Sequence, residues 1–280
     1  MNAVTIRNLS KTYKDFRINN LSLDLPKGTI MGLVGQNGAG KTTILKSILN
    51  MITRDSGSIT VLGTDNTSSE FTSVKEDIGI VLGEMGIAGC LEGKQIDKIM
   101  KNIYKNWDSA LFMDYFTRFD IPFDKPFKDL SKGMKMKVGI AVALSHGAKL
   151  LILDEATSGL DPIVRDEILD ILMEFTRNEN HSVILSSHIV SDLEKACDYI
   201  AFVHKGDILL TEEKDVLREE YAIVFLSKEE FSLLDPCVIK GKKESSYGVE
   251  VLMLKKDMPE DARCTSVSIE DLFILMAKEA

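Results

Sequence analysis

The residues best suited to chemistry lie between Gly32 and Ile44, which read Gly-Leu-Val-Gly-Gln-Asn-Gly-Ala-Gly-Lys-Thr-Thr-Ile. Within them, Gly35-x-x-x-x-Gly40-Lys41-Thr42 fits the phosphate-binding loop pattern without a mismatch. Backbone N–H groups can wrap a triphosphate only where no Cβ holds the chain away. Glycines accordingly stand at Gly35, Gly38 and Gly40, with Asn37, Ala39 and Thr43 completing the stretch. A helix starting near Lys41 aims the positive end of its dipole at the phosphates. Lys41 would reach the β- and γ-phosphate oxygens, and the Thr42 hydroxyl would bind Mg²⁺.

A second pair of residues complements the loop. Asp154-Glu155 closes the apolar run Leu150-Leu151-Ile152-Leu153. An aspartate fixed at a strand tip can hold Mg²⁺ directly or through water. The glutamate beside it can orient and deprotonate an attacking water. Alone, such a pair is an ordinary acidic turn; beside the phosphate loop it reads as the other half of a Mg-nucleotide site.

The flanking pattern supplies elements to position these groups. Thr29 to Val34 is a short apolar run, as a buried strand should be, and Ile44, Leu45, Ile48, Leu49 and Ile52 follow as a helical stripe. Leu150–Leu153 and Val183–Leu185 show no alternation. Strands of that kind are covered on both faces, in a parallel sheet flanked by helices, here 163–176 and 190–197. Ligands of such sheets bind beyond the carboxyl ends of the strands, where the motif residues fall. Val4 and Ile6, then Leu21, Leu23 and Leu25, alternate with polar residues in period-2 strands. Between them Tyr13 is either an exposed ring for stacking on a base or half of a strand-face pair. Residues 65–76 are polar and read as loop or a poorly determined helix.

From residue 94 the period becomes helical, and roughly 91–146 form a helical block in which Trp107 belongs to the core. After Gly206-Asp207 the character shifts again. Runs at 222–226 and 249–254 and a helix around 269–278 indicate a small C-terminal α/β appendage. The expected organisation is a nucleotide-binding domain over 1–218 and the appendage over 219–280.

Composition excludes several classes. The chain has 280 residues, 44% hydrophobic and 28% charged, as ordinary globular proteins do. A formal net charge of −9 argues against a nucleic-acid partner. Cys90, Cys197, Cys237 and Cys264 are scattered and read as free thiols. No stretch approaches the roughly 20 apolar residues of a membrane span. Met1–Arg7 lacks the layout of a signal peptide. A cytoplasmic protein is expected, one that works at a membrane only through a partner.

Leu130-Ser131-Lys132-Gly133-Met134, at the start of an apparent helix, adds the decisive likeness. With the phosphate loop, Asp154-Glu155, Ser158-Gly159-Leu160-Asp161 and His188, the ordered set over residues 1–215 resembles the ATP-binding cassette (ABC) ATPases, whose signature usually reads Leu-Ser-Gly-Gly-Gln. The resemblance implies an α/β fold of the P-loop NTPase class. It has a mainly parallel sheet core with an antiparallel β portion, plus the helical subdomain and the appendage. It also implies Mg-dependent ATP hydrolysis, with ATP and Mg²⁺ sandwiched between two nucleotide-binding domains paired head to tail. Ser131 and the Gly133 backbone would touch the γ-phosphate held by the opposite subunit, at a helix N-terminus suited to anions. Asp161 would lie between the two sites, His188 would contact the γ-phosphate, and Tyr13 would stack on adenine. A separate transmembrane permease subunit would dock on the helical block, on the cytoplasmic side of the cell membrane. A single cassette with a short appendage, ending in Ser268-Ile269-Glu270-Asp271-Leu272-Phe273, resembles bacterial exporters of peptides or drugs.

The sequence departs from the family pattern at three places. Lys132 replaces a signature glycine, which should place bulk and charge near the partner's nucleotide and alter ATP affinity or dimer lifetime. Met134 replaces glutamine. The Q-loop glutamine expected after Ile78–Leu82 is missing; Gly83 takes its position, and Glu84 is the nearest side chain able to reach Mg²⁺ or water. A soluble ABC protein acting on ribosomes or DNA usually carries two cassettes or a coiled-coil insertion, and this chain has neither. A regulatory module that scarcely hydrolyses ATP is disfavoured by the retained Lys41, Asp154, Glu155 and His188. A metabolic kinase or GTPase would leave the Leu130–Met134 and His188 matches unexplained.

Overall fold

The computed structural model describes residues 1–83, 86–259 and 262–279. The chain begins with the antiparallel strands β1 (Asn2–Thr12) and β2 (Arg17–Pro26). Strand β3 (Ile30–Val34) then leads through the phosphate loop into α1 (Lys41–Ile48). Strands β4 (Ser56–Val61) and β5 (Thr64–Asp65) return to the first hairpin and complete an antiparallel sheet in the order β2-β1-β4-β5. Within the polar stretch 65–76 a short helix forms, α2 (Phe71–Val74), anchored by buried Phe71.

Next come β6 (Ile78–Leu82) and three helices, α3 (Gly93–Ile103), α4 (Ser109–Arg118) and α5 (Lys132–Leu144). The chain then alternates through β7 (Leu150–Asp154), α6 (Pro162–Phe175), β8 (Ser182–Ser187), α7 (Val190–Ala196), β9 (Tyr199–His204) and β10 (Asp207–Glu213). The central sheet runs β10-β9-β3-β8-β7-β6. It is parallel from β9 to β6, with β10 antiparallel at its edge.

Unbroken apolar sequence is what two-sided burial requires, and every residue of β3, β7 and β8 is buried. Alternate side chains enter two different cores. Ile30, Val34, Leu151, Leu153, Val183 and Leu185 face one that includes α5, α6 and α7. Met31, Leu33, Leu150, Ile152 and Ile184 face another, shared with α1 and the antiparallel sheet. Three rigid strands thus end side by side.

The helical block is built on aromatic packing. Phe112 and Phe116 are fully buried with ring centroids 4.7 Å apart. Trp107 packs half-buried against them and donates from Nε1 to Asp97 at 2.8 Å. Asp108 caps α4 by accepting from the N–H groups of Ala110 and Leu111, satisfying donors that the helix cannot.

The C-terminal segment comprises α8 (Lys214–Glu220), β11 (Tyr221–Leu226), α9 (Lys228–Ser232), β12 (Gly241–Ser245), β13 (Gly248–Leu254), β14 (Arg263–Ser266) and α10 (Ile269–Glu279). Its strands form a third, antiparallel sheet, β12-β13-β11-β14. One face holds a small core of Val224, Leu226, Val249, Val251 and Met253. From the other, Ile223 and Leu252 join the main core with Ile269, Leu272 and Phe273 of α10. This segment therefore packs directly on the body of the molecule. Among the described residues, no helix is long and apolar enough to cross a membrane.

Candidate nucleotide site

Strand register brings the sequence motifs together. Val34, the last residue of β3, pairs with Ser187, and Asp154 pairs with Ser186 on the neighbouring side of β8. The phosphate loop, Asp154-Glu155 and His188 therefore leave three adjacent parallel strands at their carboxyl ends.

The loop has the geometry of an anion cradle. A Cβ on Gly35 would lie 2.4 Å from the Val203 carbonyl oxygen, so only glycine lets the loop pass beneath β9. Gly40 has φ +114°, and a Cβ there would stand 2.7 Å from the Phe16 ring. Over Gly38 nothing lies within 4 Å of that position, which leaves the loop open to a ligand. A cleft of about 430 Å³ opens there, within the usual size of small-molecule sites. Phe16, Asn37, Gly38, Gly40, Lys41, Thr42, Thr43 and Glu155 are among its lining residues. Ala39 is buried behind the loop. Lys41 is itself buried, with Nζ donating to the carbonyls of Gly35 at 2.6 Å and Gln36 at 3.3 Å.

Opposite the loop, Thr42 Oγ1 donates to Asp154 Oδ2 at 2.7 Å. A hydroxyl and a carboxylate converging at one point are hard oxygen donors, the set that Mg²⁺ accepts. Ser186 holds the other Asp154 oxygen by donating to Oδ1. Its Oγ also accepts from the Glu155 N–H at 3.0 Å. Ser186 was not singled out by sequence reasoning, although a polar pair closing an apolar strand just before His188 was a usable signal.

Glu155 adopts φ 52°, a left-handed conformation costing a non-glycine residue on the order of 1 kcal/mol. Two acceptors on its N–H, Ser186 O at 3.1 Å and Ser186 Oγ, hold it there. The side chain is thereby placed with Oε1 3.2 Å from Lys41 Nζ and Oε2 2.6 Å from His188 Nδ1. Carboxylate, lysine and histidine meet around one point in front of the phosphate loop.

Other sequence-selected residues lie elsewhere. Ser131 caps α5 by accepting from the Met134 N–H at 3.2 Å, and Asp161 caps α6 by accepting from Val164 at 3.0 Å. Together with Gly133 they line a second cleft of about 570 Å³, which shares no lining residue with the phosphate-loop cleft. Tyr13 stands just beyond β1, with a 43% exposed ring 6.5 Å from that of Phe16 and Lys11 Nζ 5.5 Å from its centroid. Phe16, which no motif selected, is the aromatic residue that lines the phosphate-loop cleft. Lys132 is exposed at the start of α5, and its Nζ donates to the Ser158 carbonyl of its own chain at 2.7 Å. Glu84 lies outside the described residues.

A glycine loop between a buried strand and a helix, faced by Asp154 and Glu155 from the next parallel strand but one, defines a P-loop nucleoside triphosphatase. A family model described as ABC transporter matches residues 18–158. A lantibiotic transport ATP-binding protein of Streptococcus pyogenes is 35% identical over 213 residues, spanning 75% of this chain and 90% of that protein. A bacitracin transport ATP-binding protein of Enterococcus faecalis is 31% identical over 252 residues, spanning 87% and 79%. The solved structure of a dimeric ATP-binding cassette bound to ADP and Pi shares the fold. It has a TM-score of 0.67 at 21% identity, over 75% of this chain and 98% of that one. The chain belongs to the ABC transporter family, as an ATP-binding, ATP-hydrolysing subunit.

Proposed function

We propose that this subunit works as half of a head-to-tail pair and powers export of a peptide or drug through a separate transmembrane permease. One observation carries the pairing: the phosphate-loop cleft and the signature cleft are built on one chain yet share no lining residue. Each is half a site, and a second cassette completes it. Ser131 and the Gly133 N–H, at the start of α5, then face the γ-phosphate held by the opposite Lys41, with Asp161 between the two sites.

Within each site the residues divide the work. The loop amides from Gly35 to Thr43 and Lys41 bind the phosphates, and the Tyr13 ring stacks on the base. Thr42 and Asp154 hold Mg²⁺, which neutralises phosphate charge when bound. Glu155 takes the proton of the attacking water, and His188 fixes the orientation of its carboxylate.

The names of the lantibiotic and bacitracin relatives support a peptide-like cargo. A cleft of about 650 Å³ between Asp154-Glu155 and the helical block, lined by Ile87, Phe127, Lys128 and Met136, suits a docking segment of the permease. The subunit then sits peripherally on the cytoplasmic side of the membrane, with 1–218 as the motor and 219–280 as an appendage.

The variant Ser131→Arg tests the pairing. It should retain ATP binding by the single chain and lose hydrolysis, because the added bulk blocks only the opposite molecule's approach. Loss of ATP binding by the single chain would place the signature in the same site as the phosphate loop and overturn the reading.

A further inference from the structure

Lys132 stands where the family signature has a glycine, and nothing in the site described above uses its charge. Its side chain leaves the first turn of α5 and crosses to the loop between β7 and α6. There Nζ donates to the Ser158 carbonyl at 2.7 Å. The ammonium fills the space above Gly159, which has φ +67° and whose Cβ would lie 2.7 Å from it. The two helix starts lie close at this point, since a Cβ on Gly133 would come into ordinary contact with Val164 at 3.4 Å.

The gripped loop is short and tied at both ends. It begins at Glu155, whose carbonyl accepts from the Ser158 N–H at 3.0 Å. It ends at Asp161, which caps α6. Lys132 therefore holds the carbonyl of the last residue of the turn that starts at Glu155. A hydrogen bond from a charged donor is roughly twice as strong as a neutral one, and glycine could not make it.

We propose that Lys132 is a positioning residue that couples the two nucleotide sites of a pair. The proposal rests on the head-to-tail reading, in which Ser131 and Gly133 meet the opposite molecule's nucleotide while Glu155 serves the nucleotide on its own loop. Lys132 joins those two within one chain. A nucleotide that engages the start of α5 in one site draws on Ser158 and sets Glu155 in the other.

Lys132→Met keeps the length of the side chain and removes the donor. Three readouts are needed: kcat, the half-saturating ATP concentration, and ATP-driven pairing in a Glu155→Gln background. The expected kcat is about tenfold lower, because Glu155 loses positioning worth about one charge-assisted hydrogen bond. Half-saturating ATP should stay within about twofold and pairing should persist, because ground-state binding is untouched. Lys132→Arg should restore kcat to within about twofold, since a guanidinium still donates. Lys135→Met is the control for lost charge and packing, because Lys135 Nζ donates in the same manner to the Lys128 carbonyl at 2.9 Å. Its kcat should stay within about twofold of the parent.

An unchanged kcat in Lys132→Met overturns the proposal, as does an arginine variant that fails equally or an equal loss in Lys135→Met. Loss of pairing in Lys132→Met/Glu155→Gln alone would assign Lys132 to association and also overturn it. Failure of the Glu155→Gln parent itself to pair would instead strike the head-to-tail reading.

Discussion

The Glu155 carboxylate is held between two nitrogens, His188 Nδ1 at 2.6 Å from Oε2 and Lys41 Nζ at 3.2 Å from Oε1. Both contacts depend on the left-handed backbone that Ser186 fixes at Glu155. Replacing the carboxylate by an amide retains the shape and loses the base. Glu155→Gln should lower steady-state phosphate release by about 10²–10⁴-fold, the range of general-base catalysis. ATP affinity should be preserved. A rate like that of the parent would remove Glu155 from this role.

Lys41 is buried under the loop with its charge turned onto the Gly35 and Gln36 carbonyls. That position keeps it off the surface, between the loop carbonyls and Glu155. Lys41→Ala should weaken equilibrium ATP binding by about 10–100-fold, the value of a hydrogen bond to a charged group. Titration of the single chain with a fluorescent ATP analogue checks this, and unchanged affinity would show that the loop is not the phosphate site.

Tyr13 presents an exposed ring 6.5 Å from that of Phe16, which lines the phosphate-loop cleft. If it stacks on the base, Tyr13→Ala should raise the Kd for ATP by about tenfold, the magnitude of aromatic stacking on one base. Binding of inorganic tripolyphosphate, which has no base, should not change, and Tyr13→Phe should bind ATP as the parent does. Equal weakening toward both ligands would instead mean damage to the loop itself.

His146 makes stability depend on pH. It is buried, its ring stacks on Tyr104 with centroids 4.1 Å apart, and Nδ1 lies 3.0 Å from the Glu76 carbonyl. Burial holds its pKa below the ordinary 6.5, against the smaller opposing pull of the Glu76 carbonyl and Asp77. The unfolded chain then binds the more protons as pH falls below 6.5, so stability is fully present above that value and is lost as pH drops toward the folded pKa. Urea midpoints at pH 7.5 and 5.5 should show the lower value at acid pH, with a smaller difference in His146→Phe. His204, also buried, shifts in the same direction and should leave part of the slope in that variant.

Much of this site was legible because its chemistry is local in sequence. Gly35 to Thr42 specify a loop whose shape follows from missing Cβ atoms, and Leu150–Leu153 announce a two-sided strand delivering Asp154 and Glu155. The unread parts depend on tertiary pairing. Ser186 reaches Asp154 only because β7 and β8 are in register, and Phe16, between β1 and β2, meets Gly40 only through the tertiary fold. The direction taken by Lys132 depends on where the Ser158 carbonyl falls. Strands β12 and β14 escaped for another reason: Lys243, Glu244, Ser245 and all of β14 are exposed, so no buried face wrote a periodic signal into them. They are strands because β13 and β11 pair with them.

The most direct test of the composite site is the solution mass of the Glu155→Gln protein with and without Mg-ATP. The single chain is 31.1 kDa. Slow hydrolysis should trap two chains around two nucleotides, so addition of Mg-ATP is expected to about double the mass, as mass action on a ligand-bridged pair requires. A chain that binds Mg-ATP and keeps its single-chain mass at every concentration tested would contradict self-pairing through these two half-sites.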